Sequence, residues 1–364
     1  LGLTYCKNQG LAYVCLEGPF LLGYFAGLAI VNVTKVLNNE SDWFYTYNIT
    51  KDLDEWSYPS GFPQLDDYGN VWFSVIGSAD YHVMAKYIPA ENRCEYIELP
   101  YGCGWTVLYH KGYIWTVSGD LMVKVNVTTN TYETYPVPPL EGCNFLIGVG
   151  DYIWITSQEH WVAKYDTITN QLVFVTDEYD ATDPFGLAYK DGIIYVAERR
   201  NPNEFVYYDT IVMLNETTGE FIGRIVTNAR MRSQGAGTLI LRVDSYGSLW
   251  FSDESNNIGF IGVLANKTYR TEGECNWAFE EIEGYMWITG RGSAYIGITG
   301  IYKDPDINDD GIVNIRDVAF VAVRFGSYYG DDVYVPEADL TGDMKINIKD
   351  VAYVASWFGK YYPP

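Results

Sequence analysis

The chain is poor in the side chains on which most catalysis runs. Of its 364 residues only three are histidine: His82, His110 and His160. No His-x-His pair, no G-x-S-x-G elbow and no phosphate-binding glycine loop occurs in it. Cationic side chains are scarce too, with Lys+Arg 24 against Asp+Glu 47 and a net charge of −23. A nucleic-acid binder needs a basic patch, and docking on anionic lipid needs a basic face, so both classes are excluded. The six cysteines (Cys6, Cys15, Cys94, Cys103, Cys143 and Cys275) include no C-x-x-C pair, which argues against a zinc ribbon. Their even number suits disulfides and leaves the pairing open. Long apolar runs are missing as well. The best, residues 11–33, is broken by Glu17, Gly18 and Pro19, and its uninterrupted remainder is too short to span a bilayer. It reads as two strands and a turn. Helical periodicity is absent from residues 1–303, which excludes a bundle there.

What is abundant is aromatic and small. Tyr 33, Trp 11 and Phe 16 make a strand-prone composition, and Gly 35 supplies turns. With 48% apolar and 20% charged residues, the chain can bury a large core despite its acidity. Repeats organise it. A Gly- or Asp-bearing turn followed by an apolar, aromatic-anchored strand recurs as QGLAYV, YGNVWFS, KGYIWTV, GDYIWIT, DGIIYVA, YGSLWFS and EGYMWIT. The anchors are Tyr13, Trp72, Trp115, Trp154, Tyr195, Trp250 and Trp287. After each comes an alternating strand, a polar turn and another strand, as in WVAKYDTITNQLVFVT. Units of about 40 residues with four strands each describe propeller blades. The prediction is an all-β, seven-bladed propeller over residues 1–303. Its last unit reads as three strands, near 275–281, 285–289 and 294–301. Either that blade is short and covered by the C-terminal segment, or a neighbouring molecule adds a strand to it.

The segment GSLWFSDESNNIGFIG, residues 247–262, resembles the repeat of the streptogramin lyase propellers: G-x-x-W-F-[ST]-[DE], then N-x-I-G. The other units match it more loosely over residues 1–303. The resemblance implies the propeller fold. Lyase chemistry would need a histidine base beside an acid and a divalent ion. His82 and His160 hold equivalent places before the third strand of their blades, and they are the catalytic candidates; His110 points to the opposite face. Glu159, Glu198, Arg199, Arg200, Asp253, Glu254 and Arg291 share the face of His82, either to bind a sugar or carboxylate or as solvated loop tips.

The last 60 residues carry a second repeat, with a period of 33. DINDDGIVNIRDVAFVAVRFG at 306–326 aligns with DLTGDMKINIKDVAYVASWFG at 339–359. Oxygen-bearing side chains fall at positions 1, 3, 5, 9 and 12 of each loop. In the first they are Asp306, Asn308, Asp310, Asn314 and Asp317, with the Ile312 carbonyl at position 7. In the second they are Asp339, Thr341, Asp343, Asn347 and Asp350, with the Lys345 carbonyl. This spacing wraps hard oxygens around one Ca²⁺ per loop. Like charges about 4 Å apart repel by roughly 4 kcal/mol at an effective dielectric near 20, so the loops are predicted to fold poorly without a divalent cation.

D-x-N-x-D-G-x-V-N-I-x-D followed by a short apolar helix resembles the type I dockerins over residues 304–359. The resemblance implies a small α-helical, duplicated F-hand domain at 304–364 and a cohesin-like partner. Residues at loop positions 10 and 11, here Ile315, Arg316, Ile348 and Lys349, would help face that partner; core packing and solvated charge explain them equally. Loop two departs from the pattern at Thr341 and at Met344, which replaces a glycine, and is predicted to bind Ca²⁺ more weakly.

Six Asn begin N-x-[ST] triplets: Asn32, Asn39, Asn48, Asn126, Asn215 and Asn266. Chance placement gives about two, so an exported glycoprotein is favoured, although hairpin turns also collect Asn and Thr. Together these features predict a secreted or cell-surface glycoprotein. It would act as a structural or adhesive subunit of a filament, surface layer or complex, held through a Ca²⁺-dependent tail by a cohesin-like domain or by identical subunits in a homopolymer. The alternatives are a dockerin-borne enzyme, whether lyase-like or polysaccharide-active, and a carbohydrate-binding propeller.

Overall fold

The computed structural model describes the chain outside residues 1, 17–26, 50–51, 54–57, 77–81, 102–103, 139, 141–142, 144, 158–160, 177–183, 199–209, 227–237, 246, 254–256, 262–265, 271–275, 291–295, 301–304, 309, 329–330, 342–344 and 361–364. Among the described residues seven antiparallel sheets succeed one another, each a meander whose sequence neighbours pair in space. Six have four strands and span 3–48, 58–98, 108–136, 145–175, 184–226 and 238–270. The last has three: Asn276–Ile282, Tyr285–Gly290 and Ile296–Gly300. The seven-blade prediction is corrected accordingly, because among the described residues six blades are complete and the last sheet has three strands, as its sequence read. The apolar stretch near the start forms strands Leu11–Leu16 and Gly27–Asn32, as expected.

The first strands of successive sheets lie side by side around a ring, with Asn276–Ile282 of the last against Leu3–Cys6 of the first. Leu3, Ala12 and Val14 share a buried cluster with Ala278, Ile282 and Trp287 across that seam. Five of the predicted anchors (Trp72, Trp115, Trp154, Trp250 and Trp287) and Tyr13 are fully buried on second strands, while Tyr195 is half-buried. Each brings a polar atom into the core, and such atoms need partners. In blades two and six the partner is an aspartate six residues earlier. Asp66 Oδ2 accepts from Trp72 Nε1 at 2.9 Å, and Asp244 Oδ2 accepts from Trp250 Nε1 at 2.8 Å. The other oxygen closes the hairpin by accepting the amides of Tyr68 and Asn70, or of Ser248. Elsewhere the hairpin closes differently. Lys111-Gly112, Asp191-Gly192 and Glu283-Gly284 each carry two successive positive φ angles, the turn that matches strand twist.

Blade four breaks the pattern. Six residues before Trp154 stands Gly148, and the imidazole of His110, from blade three, occupies its side-chain space. A Cβ on Gly148 would fall 2.2 Å from His110 Nδ1. Trp154 Nε1 and His110 Nε2 have no hydrogen-bond partner among the described residues. Neighbouring blades are also tied by lysines on third strands. Lys86 is buried over the Trp72 ring and donates to the Val127 carbonyl of blade three at 2.8 Å. Lys164 lies over Tyr152 and donates to the Glu216 carbonyl of blade five at 2.6 Å.

The tail holds two helices, α2 (Ile315–Ala322) and α3 (Ile348–Ser356); the short α1 (Val33–Leu37) lies in blade one. Both tail helices open with a reciprocal capping box, Asn314 with Asp317 and Asn347 with Asp350. They pack over a core of Val313, Val321, Ala338, Leu340, Ile346 and Val354. The halves exchange backbone bonds in kind. Ile346 pairs with Gly326 and Ser327 after α2, and Val313 pairs with Gly359 and Lys360 after α3.

Asp66→Ala strands the Trp72 indole N–H and two turn amides, and is expected to lower the unfolding free energy of the ring by about 2–3 kcal/mol in a denaturant titration. Burial, with the nearby Lys111 charge, holds His110 below its ordinary value of 6.5. The unfolded chain therefore binds the proton first as pH falls, and stability should drop on acidification below about pH 6.5 and be complete above it. His110→Gln should flatten that part of a melting-temperature profile between about pH 7 and 5.5.

Candidate metal centre and the other predicted residues

Loop one folds around its own carboxylates. Asp306 accepts the Asp310 amide on Oδ1 at 3.2 Å and the Gly311 amide on Oδ2 at 2.8 Å. Gly311 sits at φ +84°, the conformation that reserves this position for glycine. Asn308 Oδ1 accepts the Asp310 amide, and Asp310 accepts the Ile312 amide. Asn314 Nδ2 donates to the Ile312 carbonyl at 3.0 Å and to Asp310 at 3.2 Å. Asp317 reaches back to the amides of Asn308 and Asn314. All six predicted residues thus belong to one hydrogen-bonded loop.

Loop two repeats its second half. Asp350 accepts from the amide and hydroxyl of Thr341, at 2.9 and 2.8 Å, and from the Asn347 amide at 2.7 Å. Asn347 Nδ2 approaches the Lys345 carbonyl at 3.4 Å. Asp343 and Met344 lie outside the described residues. Asp339 Oδ2 accepts from Tyr334 at 2.7 Å and from Tyr285 of the last propeller sheet at 3.2 Å. The two phenol oxygens are 2.8 Å apart.

The side chains of both loops are of the oxygen-bearing type that hard divalent cations take. Asp306 and Asp317 are 3% and 0% exposed, Asp339 and Asp350 1% and 0%. Burying carboxylates calls for compensating charge. Burial and the charges of Asp317 and Asp310 push the Asp306 carboxyl above its ordinary range, against the amide bonds from Gly311 and Asp310. The cationic contact of Arg316 with this loop is peripheral, 3.5 Å from Asp310 and largely in solvent. The donors are all oxygen, which suits calcium and not a thiophilic metal. No three acidic, histidine or cysteine side chains converge among the described residues. In loop one the carboxylates turn to backbone amides instead. Ile315 and Ile348, 66% and 65% exposed, occupy the same place on α2 and α3, each followed by an exposed cation, Arg316 or Lys349.

The propeller candidates fare unevenly. His82 opens strand His82–Ile88, but its side chain, like all of His160, lies outside the described residues. So do Glu159, Arg199, Arg200, Glu254, Arg291, Cys103 and Cys275, and the side chain of Asp253. Glu198 is corrected as a ligand group. It is fully buried, with Arg224 Nε at 3.1 Å and the Thr210 hydroxyl on the same oxygen, which is an internal brace.

The sequon asparagines have structural work. Asn126 Oδ1 accepts the amides of Thr128 and Thr129, and Asn215 Oδ1 accepts those of Thr217 and Thr218. Asp166 does the same in blade four, where no sequon exists. Turn chemistry alone therefore accounts for an Asn at those places, and it engages the oxygen rather than the nitrogen that would carry sugar. Asn32 caps α1, Asn39 is exposed, Asn48 is half-buried, and the side chain of Asn266 lies outside the described residues. Sequence reasoning missed the inter-blade lysines, although AKY recurs at 85–87 and 163–165. It also missed the contact of Tyr285 and Tyr334 with Asp339, since the repeat EGYMWIT marks Tyr285 only as a strand residue.

No family model matches the chain, and no curated protein sequence does. Solved structures do. A chain of the mitotic checkpoint complex matches with TM-score 0.62 at 9% identity, over 80% of this chain and 84% of that one. The WD40 β-propeller domain of Doa1 matches with TM-score 0.58 at 7% identity, over 79% and 88%. The Pan2 WD40 domain of Neurospora crassa matches with TM-score 0.56 at 11% identity, over 79% and 84%. These likenesses are to a β-propeller of WD40 type and speak for the fold alone. No described helix is long and apolar enough to cross a membrane.

Proposed function

We propose that this chain is a secreted or cell-surface assembly subunit. A lyase-like propeller is borne on a dockerin-like tail whose two loops bind Ca²⁺, and the tail docks the propeller into a filament, surface layer or complex. The observation that carries the reading is the doubled tail. Position 1 and position 12 carboxylates are buried in both loops, and an exposed isoleucine stands at the same point of both helices. Buried carboxylates favour a cation, and two like apolar points on one small domain favour a protein contact. The partner is a cohesin-like domain or another copy of this chain. The role is structural or adhesive rather than catalytic. Sugars on the sequon turns would coat the propeller face formed by first-to-second and third-to-fourth hairpins.

Calorimetry should find two Ca²⁺ per chain, the second weaker, and Asp317→Ala should remove the first; no uptake would end the proposal. Native material imaged by negative stain should show assemblies that EDTA disperses, whereas free single particles in both conditions would favour an enzyme. Ile315→Asp with Ile348→Asp should disperse assemblies while leaving Ca²⁺ uptake intact. Peptide mapping of native material should find sugar at Asn126 and Asn215, and unmodified asparagines would remove the glycoprotein part.

A further inference from the structure

The outermost strand of a blade is an open sheet edge, and proteins commonly guard such edges with charge, proline or a bulge. Five of the six fourth strands are guarded. Arg93–Glu98 (RCEYIE) and Asn266–Arg270 (NKTYR) carry charges, and Tyr132–Pro136 carries Glu133 and Pro136. Gln171–Val175 and Phe221–Val226 are each broken by a register shift against the third strand of their blade. Phe44–Asn48, the fourth strand of blade one, has none of these devices. It reads FYTYN and pairs with Gly27–Asn32 without a shift. In the same register the Asn32 N–H donates to the Trp43 carbonyl at 2.7 Å. Bonded and non-bonded pairs alternate from there, so Tyr45 turns its backbone N–H and C=O inward to Ile30, while Phe44 and Thr46 turn theirs to the open side. The side chains are open as well. Phe44 is 50% and Tyr45 54% exposed, and Thr46 is exposed between them. The last sheet ends on its third strand, Ile296–Gly300, whose isoleucines pack into the seam with blade one.

We propose that Phe44–Asn48 pairs antiparallel with the same strand of a second copy of this chain, about a twofold axis through Thr46. The strand is its own complement, because Tyr45-Thr46-Tyr47 reads the same in both directions. In this register Thr46 opposes the partner's Thr46, and their outward backbone groups exchange both N–H···O bonds. Tyr45 then opposes the partner's Tyr47. Threonine pairs and aromatic pairs directly across a seam are favourable. Charge also selects the occupant. At a net charge of −23 two copies repel, and this strand lets their backbones meet without setting like charges opposite each other. The unbroken ladder lets the pairing run along the whole strand, which the shifted edges of blades four and five do not. Such a contact is isologous and stops at a pair. It uses a different surface from the tail and needs no cation. With the tail as a second contact, pairs would join into longer assemblies.

The test uses the full chain in EDTA, so that no cation-dependent contact of the tail contributes. Sedimentation should show the 41.3 kDa chain doubling its mass as concentration rises. Thr46→Lys sets two ammonium groups opposite each other and should abolish the dimer, with the circular dichroism of the chain unchanged because Thr46 is exposed. Thr46→Cys should give a disulfide-linked dimer under mild oxidation, since directly opposed bonded residues stand about 5.5 Å apart at Cα, within disulfide reach. Thr134→Cys, exposed in the guarded strand Tyr132–Pro136, should stay unlinked, as should the unmodified chain. A chain that remains monomeric at every concentration overturns the proposal. So does a dimer that survives Thr46→Lys, or linking of Thr134→Cys as readily as of Thr46→Cys. Sugar mapped to Asn48 in native material would overturn it too, because a glycan at the end of this strand would cover the edge. None of these results depends on Ca²⁺ uptake, so the pairing and the calcium reading stand or fall separately.

Discussion

The ring depends on placing a large aromatic side chain in the wall between blades; the indole N–H of Trp72, Trp115 and Trp250 finds an acceptor there, and those of Trp154 and Trp287 have none among the described residues. A buried indole contributes much apolar contact, but it brings one N–H that water can no longer satisfy. Blades two and six answer with a buried aspartate that also closes the hairpin, so the turn and the core are fixed by the same carboxylate. Blade three answers with a backbone carbonyl, His110 O, at 3.1 Å from Trp115 Nε1. The inter-blade lysines extend the same logic outward. Their stems cover aromatic faces, and their ammonium groups hold carbonyls of the next blade's turn.

The tail obeys a different constraint. It is too small to rely on apolar burial alone, and beside its apolar core it buries four acids, Asp306, Asp317, Asp339 and Asp350. Its two halves are held by capping boxes and by exchanged backbone bonds, so neither half is complete without the other. That reciprocity keeps the outward isoleucines at matching positions. It also means that anything organising one half is felt by its twin.

Much of the fold was legible from local pattern. The anchors and the hairpins before them were readable, because each is set by residues close together in the chain. Strand count in the last unit was readable for the same reason, whereas counting that three-stranded unit as a seventh blade went beyond the pattern. The capping boxes at Asn314 and Asn347 were legible as spaced oxygens, though their reading as cation loops is a proposal. What sequence could not convey were contacts across blades and domains. Lys86 finds Val127, and Tyr285 finds Asp339, only because the ring has closed. Glu198 looked like a loop-tip acid, and its burial against Arg224 depends on a residue two strands away. The sequons show the opposite limit, since one short pattern serves turn geometry and glycan attachment alike.

His110 and Gly148 bear on how such a ring could have arisen. An imidazole on one repeat fills the hollow left by a missing side chain on the next, so the two units fit each other. A ring of identical modules could be cut and rejoined in any order. Here the third and fourth units carry a private key and lock, which fixes their adjacency and would penalise any shuffled or duplicated arrangement during the evolution of the ring.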